Sequence, residues 1–171
     1  MKNNKISKAW IMLAVSNVEK AKAFYETVLE QKIEGEIEGC HIVFESGFAL
    51  QADYTKILEG AKEFAPKPTG AKLEIKTKSN SFQLAFEVKD LDYWVTKIKA
   101  LGDIEIIHDV TEYNWGQRTF RFYDYDGNIV ELGEDLAVVA KRFIAQGRTA
   151  EEAAKGFGYS LEYVQQLLSS E

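Results

Sequence analysis

Apolar and polar residues follow each other along this chain with two periods, one typical of strands and the other of helices. A short apolar run at 10–15 predicts a buried strand, and apolar residues at helical spacing over 18–29 predict a helix after it. Two more strands are predicted at 40–44 and 48–51, on either side of a serine-glycine turn. This order of strand, helix and further strands indicates an α+β fold.

The second half of the chain repeats this order. It begins with a predicted strand at 82–88, continues with a helix that Asp90 caps, and reaches another strand at 104–107. When the halves are aligned, Gly47 falls on Gly127, each in the turn before the last strand of its half. An internal duplication of a βαβββ unit is therefore predicted.

The last predicted hairpin joins two strands through a turn rich in aspartate, glycine and asparagine. From Trp115 to Glu131 it follows the pattern W-G-Q-R-x-F-x-F-x-D-x-D-G-N-x-x-E. This pattern resembles the last hairpin of the glyoxalase, bleomycin-resistance and extradiol-dioxygenase superfamily, the vicinal oxygen chelate proteins. Many members carry proline where this chain has Tyr125. The resemblance implies two tandem βαβββ modules that form a curved sheet cavity, followed here by a C-terminal helical extension.

Four segments are expected from the repeat, from a proline-containing stretch between the halves and from a change of composition near the C-terminus. They are a first βαβββ module at 1–55, a linker at 56–81, a second βαβββ module at 82–134 and a helical tail at 135–171.

The tail is predicted to hold three helices, the second opened by a capping box at Thr149 and the third by Ser160. Their arrangement resembles a helix-turn-helix. The third helix carries glutamates and no lysine or arginine, so phosphates would repel it and nucleic acid is not favoured as a partner. The tail is interpreted as a packing or dimer element, and a homodimer is expected. The apolar stripe of the third helix is expected to be buried against the βαβββ modules or against a partner subunit, and its residues are Leu161, Val164, Leu167 and Leu168.

Composition and charge exclude several classes of protein. The net charge of −6 gives no basic surface for nucleic acid or an anionic membrane. The single cysteine, Cys40, allows neither an internal disulfide nor a multi-cysteine metal site. No segment has the apolar length to span a bilayer, and the polar first residues do not resemble a signal peptide, so a cytoplasmic location is expected.

The resemblance also implies where chemistry is placed. In metal-dependent members each module supplies one ligand from its first strand and one from its last. Those positions are Trp10, Gln51, Gln83 and Glu131. Indole nitrogen has no lone pair to give, and the set contains no histidine, so no metal and no cofactor is expected. Glu87 beside Glu131 is the arrangement that would restore a metal site, whereas His41 and His108 are interpreted as half-exposed strand histidines.

A pocket with aromatic walls and a few polar groups remains, which is the usual composition of small-molecule sites. Strand alternation places Gln83 and Glu87 on the cavity face. Trp10 and Trp115 are expected to stack on a flat or cationic ligand, with core packing as the alternative for Trp10. Arg118 is a candidate to hold a carboxylate or phosphate, whereas Arg121 is interpreted as part of a solvated face.

Two functions from different classes fit these residues. The first is a small-molecule binding protein resembling bleomycin-resistance proteins, which works without metal. The alternative is a lyase or isomerase of the lactoylglutathione-lyase type, in which Glu131 is catalytic as a general base or a metal ligand. Trp10 and the two glutamines favour the first function, and the intact hairpin with Glu131 supports the second.

Overall fold

The structure, a computed structural model, describes residues 11–52 and 78–170. It divides between residues 77 and 78 into two compact units, and each unit is described by itself. The predicted stacking residue Trp10 and most of the predicted linker, 56–81, lie outside the described residues.

The first unit has the βαβββ order. Its elements are β1 (Ile11–Ala14), α1 (Val18–Ala23) with a π-helical continuation (Phe24–Val28), β2 (Ile33–Ile37), β3 (His41–Phe44) and β4 (Phe48–Gln51). The sheet order is β1-β4-β3-β2, and β1 runs parallel to β4 while the other pairs are antiparallel. Asn17 caps α1, because its side chain accepts a hydrogen bond from the backbone N–H of Lys20 at 2.9 Å.

Strand β2 is absent from the sequence-based prediction. Its residues alternate between isoleucine and polar or glycine positions, and nearly all of them are exposed. It lies at the edge of the sheet, and its register against β3 shifts between Ile33 and Gly35. An exposed edge strand with a bulge buries little apolar surface, so its sequence carries little of the signal that marks a buried strand.

The second unit repeats the order and adds the tail. Its module contains β5 (Ser79–Val88), α2 (Leu91–Lys99), β6 (Ile106–Glu112), β7 (Arg118–Tyr123) and β8 (Asn128–Glu134). The sheet order is β5-β8-β7-β6, with β5 parallel to β8. Strand β5 therefore starts three residues earlier than predicted. The two sheets, each with a helix between its first and second strands, confirm an α+β fold built from two tandem modules.

The core of the second module lies between α2 and one face of its sheet. Asp90 caps α2 as predicted, through a 2.9 Å hydrogen bond from the backbone N–H of Tyr93. Leu101, predicted to join the buried stripe of this helix, is instead 37% exposed beyond the last turn. The fully buried side chains come from the helix and from the alternate residues of two strands, and they are Leu91, Ile98, Phe120, Phe122, Val130 and Leu132.

The tail forms three helices: α3 (Leu136–Ala145), α4 (Ala150–Phe157) and α5 (Leu161–Ser169). The predicted capping box is present, because Thr149 and Glu152 exchange hydrogen bonds, and Ser160 caps α5. The three helices share a core of Val139, Ala140, Phe143, Ala153, Ala154 and Val164. Leu161 and Leu168 pack against this core, so the tail helices themselves cover part of the apolar stripe.

No helix in 11–52 or 78–170 is both long and apolar enough to cross a membrane.

Candidate functional site

The candidate site lies on the sheet face of the second module that points away from α2. Because side chains alternate along a strand, Gln83, Ala85 and Glu87 of β5 share this face, while Leu84 is buried on the other. Ala85 pairs directly with Glu131 of β8 in the parallel register. The exposed face of β5 is thus brought beside the one carboxylate in the middle of β8.

Glu131 is held in a small network of polar side chains. Its Oε2 accepts a hydrogen bond from Nε2 of Gln83 at 3.2 Å and forms an ion pair with Nη2 of Arg121. Nε of Arg121 donates to Oε1 of Gln83 at 3.2 Å, which closes the triangle. The Glu131 and Arg121 side chains are only 14% and 19% exposed, so water screens their attraction less than that of a surface pair.

The other side of Arg121 is also filled. Its Nη1 donates to the hydroxyl of Tyr113 at 2.5 Å and to Oγ1 of Thr119 at 3.3 Å, and it contacts Nε2 of His108 at 2.9 Å. Arginine has donors only, so Nε2 of His108 is the acceptor in that contact. Nδ1 of His108 then donates to the carbonyl of Asp109 at 2.7 Å. With Nε2 as the acceptor, this hydrogen-bond pattern assigns a ring proton to Nδ1.

A cavity of about 440 Å³ opens on the same face of this unit. Strand residues, the loop before β7 and the tail helices all contribute to its wall. The residues that line it are Ala85, Phe86, Glu87, Trp115, Gln117, Glu131, Gly133, Leu136, Phe157 and Tyr159.

The loop before β7 holds Trp115 in a fixed position at the cavity. The Tyr113 ring stacks on its indole, with ring centroids 4.4 Å apart and planes only 2° from parallel. Its Nε1 donates to Oε1 of Gln117 at 3.1 Å, and Nε2 of Gln117 donates to the carbonyl of Glu134 at 2.8 Å. A Cβ at Gly133 would lie 3.2 Å from Nε2 of Gln117, so this glycine gives the glutamine room to cross the strand.

Glu87 brings a second carboxylate to the cavity wall. Loss of solvent around it raises its pKa, and the nearby negative charge of Asp135 raises the pKa further. Both effects disfavour the ionised form, and a cation placed beside Glu87 would relieve both of them.

The structure brings together four of the residues predicted for the site, and these are Gln83, Glu87, Trp115 and Glu131. Gln51 is placed elsewhere. Gln51 lies in the first unit and is 5% exposed. Its Oε1 accepts from Nδ1 of His41 at 2.9 Å, and its Nε2 donates to the carbonyl of Ala52 at 2.8 Å.

Arg118 is held at the edge of the module by two carboxylates. Its Nε donates to Oε1 of Glu134 at 2.8 Å, and its Nη1 and Nη2 donate to the two carboxylate oxygens of Asp92, each at 3.2 Å. The guanidinium therefore links β7 to β8 and α2, and it does not line the cavity within the described residues.

The sequence interpretation assigned Gln83 and Glu131 to the site, but not the other members of the network, which are Arg121, His108, Tyr113 and Thr119. Arg121 was expected on a solvated face because it alternates with Phe120 and Phe122, yet only 19% of its side chain is exposed. The register of the hairpin, which the turn residues fix, would have indicated that Arg121 lies beside Glu131. A turn at 124–128 places Arg121 opposite Glu131, and the structure has that pairing.

The residues present do not suit a divalent metal at the positions that the resemblance implies. One oxygen of Glu131 is already neutralised by Arg121, and the carbonyl oxygen of Gln51 already accepts from His41. Oε1 of Gln83 also accepts from Arg121, so each of these three side chains already has an oxygen engaged, and none of them supplies an imidazole nitrogen. Over 11–52 and 78–170, histidine, cysteine, aspartate and glutamate form no group of three or more that is placed to hold a metal ion.

Comparison with known proteins places this architecture among relatives. The sequence model of the glyoxalase-like domain matches residues 9–137. The crystal structure of a protein of unknown function from Agrobacterium tumefaciens is 30% identical to this chain, with a TM-score of 0.62, and the match covers 78% of this chain and 98% of that one. Comparison with curated protein sequences gives no match.

Two more distant structures share the fold. Lactoylglutathione lyase from Agrobacterium tumefaciens is 21% identical with a TM-score of 0.52, over 77% of this chain and 93% of its own. The fosfomycin resistance protein FosX from Listeria monocytogenes, complexed with Mn(II) and sulfate, is 20% identical with a TM-score of 0.54, over 81% and 99%. At these identities the likeness concerns the fold alone.

Proposed function

We propose, from the premise that the chain belongs to the glyoxalase-like domain family, that it binds a small organic molecule in the cavity of its second module, without a metal. The observation that carries the proposal is the cavity of about 440 Å³ on the sheet face around Glu131. Volumes of this size suit small ligands, and its mixture of aromatic walls with a few polar groups is typical of ligand sites.

The network around Glu131 supports binding rather than the alternative lyase or isomerase function. As a general base or a metal ligand, Glu131 would act with one of its two oxygens already engaged. Here Oε2 of Glu131 already holds Arg121 and Gln83. The guanidinium in turn is bonded to Tyr113 and contacts His108, so the arrangement fixes the carboxylate in place.

A ligand screen read by thermal shift tests the proposal, using wild-type protein with and without a chelator and the variant Ala85→Phe. Ala85 is exposed and lines the cavity, so phenylalanine fills the cavity without disturbing the core. We expect saturable hits on the wild type that survive the chelator and are lost in Ala85→Phe. The control Ala145→Phe, at an exposed position of α3, keeps them.

Two outcomes would contradict the proposal. A library without hits, or hits that Ala85→Phe leaves unchanged, would remove the cavity as the site. Turnover of the adduct of methylglyoxal and glutathione that needs added metal and disappears in Glu131→Gln would establish the lyase alternative instead.

A further inference from the structure

The tail builds part of the cavity wall. Phe157 ends α4 and Tyr159 follows it in the turn before α5, and both line the cavity. These residues come after the segment that matches the glyoxalase-like domain, which ends at residue 137. The wall of this site therefore includes side chains that the shared domain does not supply.

Four aromatic residues line the cavity, Phe86, Trp115, Phe157 and Tyr159, and the last three are each supported by a second ring. Trp115 stacks on Tyr113 with centroids 4.4 Å apart. Phe157 lies 5.5 Å from Phe143, and Tyr159 lies 4.8 Å from Tyr163, again between centroids. Rings held in this way lose little freedom when a ligand arrives, so they are preorganised walls.

The charge of the cavity is negative. Among the described residues, its lining contains the carboxylates of Glu87 and Glu131 and no lysine or arginine. Asp135 is close enough to Glu87 to raise the pKa of that carboxyl, after the larger effect of burial. Arg121 and Gln83 engage Oε2 of Glu131, whereas Oε1 accepts no hydrogen bond from any described residue. Oε1 lies near Gly133, where it would be 3.7 Å from an added Cβ.

We infer that the ligand is a protonated amine carried on an apolar body, a proposal that rests on the small-molecule function above. The ammonium group lies beside Glu87 and donates a hydrogen bond to Oε1 of Glu131. Trp115, Phe157 and Tyr159 surround it, because aromatic faces attract cations most strongly where water is excluded. A ligand anion would meet two carboxylates there, and a neutral ligand would leave Glu87, which has no cation among the lining residues, without a counter-charge.

A charge series on one scaffold tests the inference: 2-phenylethylamine, 2-phenylethanol and 3-phenylpropanoate, each titrated at pH 7 by calorimetry. We expect the amine to bind about tenfold or more tightly than the alcohol, and the carboxylate to bind most weakly. Glu87→Gln should weaken amine binding about tenfold while leaving alcohol binding unchanged. Tyr159→Ala should weaken it severalfold. Glu87 and Tyr159 are exposed, so neither change threatens folding.

Matched controls are Glu162→Gln and Tyr93→Ala, which alter exposed residues outside the cavity and should leave amine binding unchanged. The inference is overturned if the alcohol or the carboxylate binds as tightly as the amine, if the amine fails to bind at millimolar concentration, or if Glu87→Gln has no effect. After any of these results, the small-molecule function would still stand if the screen gives neutral or anionic hits that Ala85→Phe abolishes. Only the loss of every such hit would also remove the proposed function.

Discussion

Glu134→Gln is the sharpest test of how the tail is fixed to the second module. Glu134 ends β8, and its side chain is 3% exposed. Oε1 accepts from Nε of Arg118 and Nη1 of Arg142, both at 2.8 Å. Oε2 accepts from the backbone N–H of Arg118 at 3.1 Å and from Nη2 of Arg142 at 2.9 Å. Glutamine has nearly the same shape but carries no charge. Its NH2 group would also face N–H donors at a place where a carboxylate oxygen now accepts from them.

The expected cost follows from the burial of the pair. Removing one partner of a buried ion pair costs about 3–5 kcal/mol, because the remaining charge is left uncompensated. The Arg118 and Arg142 side chains are each 29% exposed, so water recovers part of the loss and the lower end applies. We expect about 3 kcal/mol of unfolding free energy to be lost. For a unit of this size that is a fall in Tm of roughly 12 °C or more.

The pH dependence identifies the charge as the cause. Burial alone raises the pKa of Glu134, but hydrogen bonds from Arg142 and Arg118 outweigh it and hold the pKa below the ordinary 4.5. A carboxyl whose folded-state pKa is depressed stabilises the fold fully above its unfolded pKa. That stability is lost as the pH falls through the folded pKa. The difference between wild type and Glu134→Gln should therefore be largest at neutral pH and shrink in acid.

Urea unfolding at neutral pH and well below pH 4.5 measures both effects. Asp92→Asn is the matched control, because it removes the other carboxylate that Arg118 contacts. The Asp92 side chain is 72% exposed. Such a surface pair contributes at most about 1 kcal/mol. If Glu134→Gln costs no more than Asp92→Asn, or if its cost is the same in acid, the reasoning on the buried pair is refuted.

Two further predictions concern packing and assembly. Gly116→Ala should lower the free energy of unfolding in urea by about 2–4 kcal/mol, because φ is +83° there and a Cβ would lie 2.3 Å from the Phe143 ring. The control Gly147→Ala has the same φ but open space around its Cβ, so its loss should be smaller by at least about 1 kcal/mol. Equal losses in the two variants would contradict a steric clash with Phe143. Light scattering should show a homodimer, because Ile11, Met12 and Ile37 expose 43%, 39% and 64% of their surface on strands at the sheet edges. A monomer at micromolar concentration would contradict this.

Local signals account for what the sequence predicted well. Asp90, Thr149 and Ser160 each cap a helix in the structure, because a cap depends only on residues three positions apart. The aspartate-rich turn of the last hairpin is likewise local, since Asp124 accepts hydrogen bonds from the backbone N–H groups of Asp126 and Asn128.

Features that depend on distant neighbours were predicted less well. Alternation placed Gln83 and Glu87 on one face, but it could not say which face of β7 meets solvent, so Arg121 was misinterpreted. Nothing near Phe157 or Tyr159 in sequence indicates a cavity. Their place in its wall depends on how three helices of the tail pack together, which the periodicity of each helix does not fix.

The duplication allows one pair of neighbouring strand residues to be compared between the two modules. The third and fourth strands of each module pair in the same register, which makes His41–Gln51 the counterpart of Arg121–Glu131. In the first unit the pair joins an imidazole to an amide and is nearly inaccessible to solvent, because Gln51 is 5% exposed and its amide also donates to the carbonyl groups of Cys40 and Ala52. In the second unit the pair is ionic, and Glu131 lines a cavity.

The two pairs therefore differ in what they leave available to a ligand. In each pair a nitrogen already engages one side-chain oxygen, Oε1 of Gln51 and Oε2 of Glu131. Oε1 of Glu131 nevertheless accepts no hydrogen bond from the described residues. A histidine–glutamine pair in its place would present an amide to the cavity instead of a carboxylate. The carboxylate held by Arg121 presents an oxygen that is fixed in direction, and that is the property an ammonium group selects.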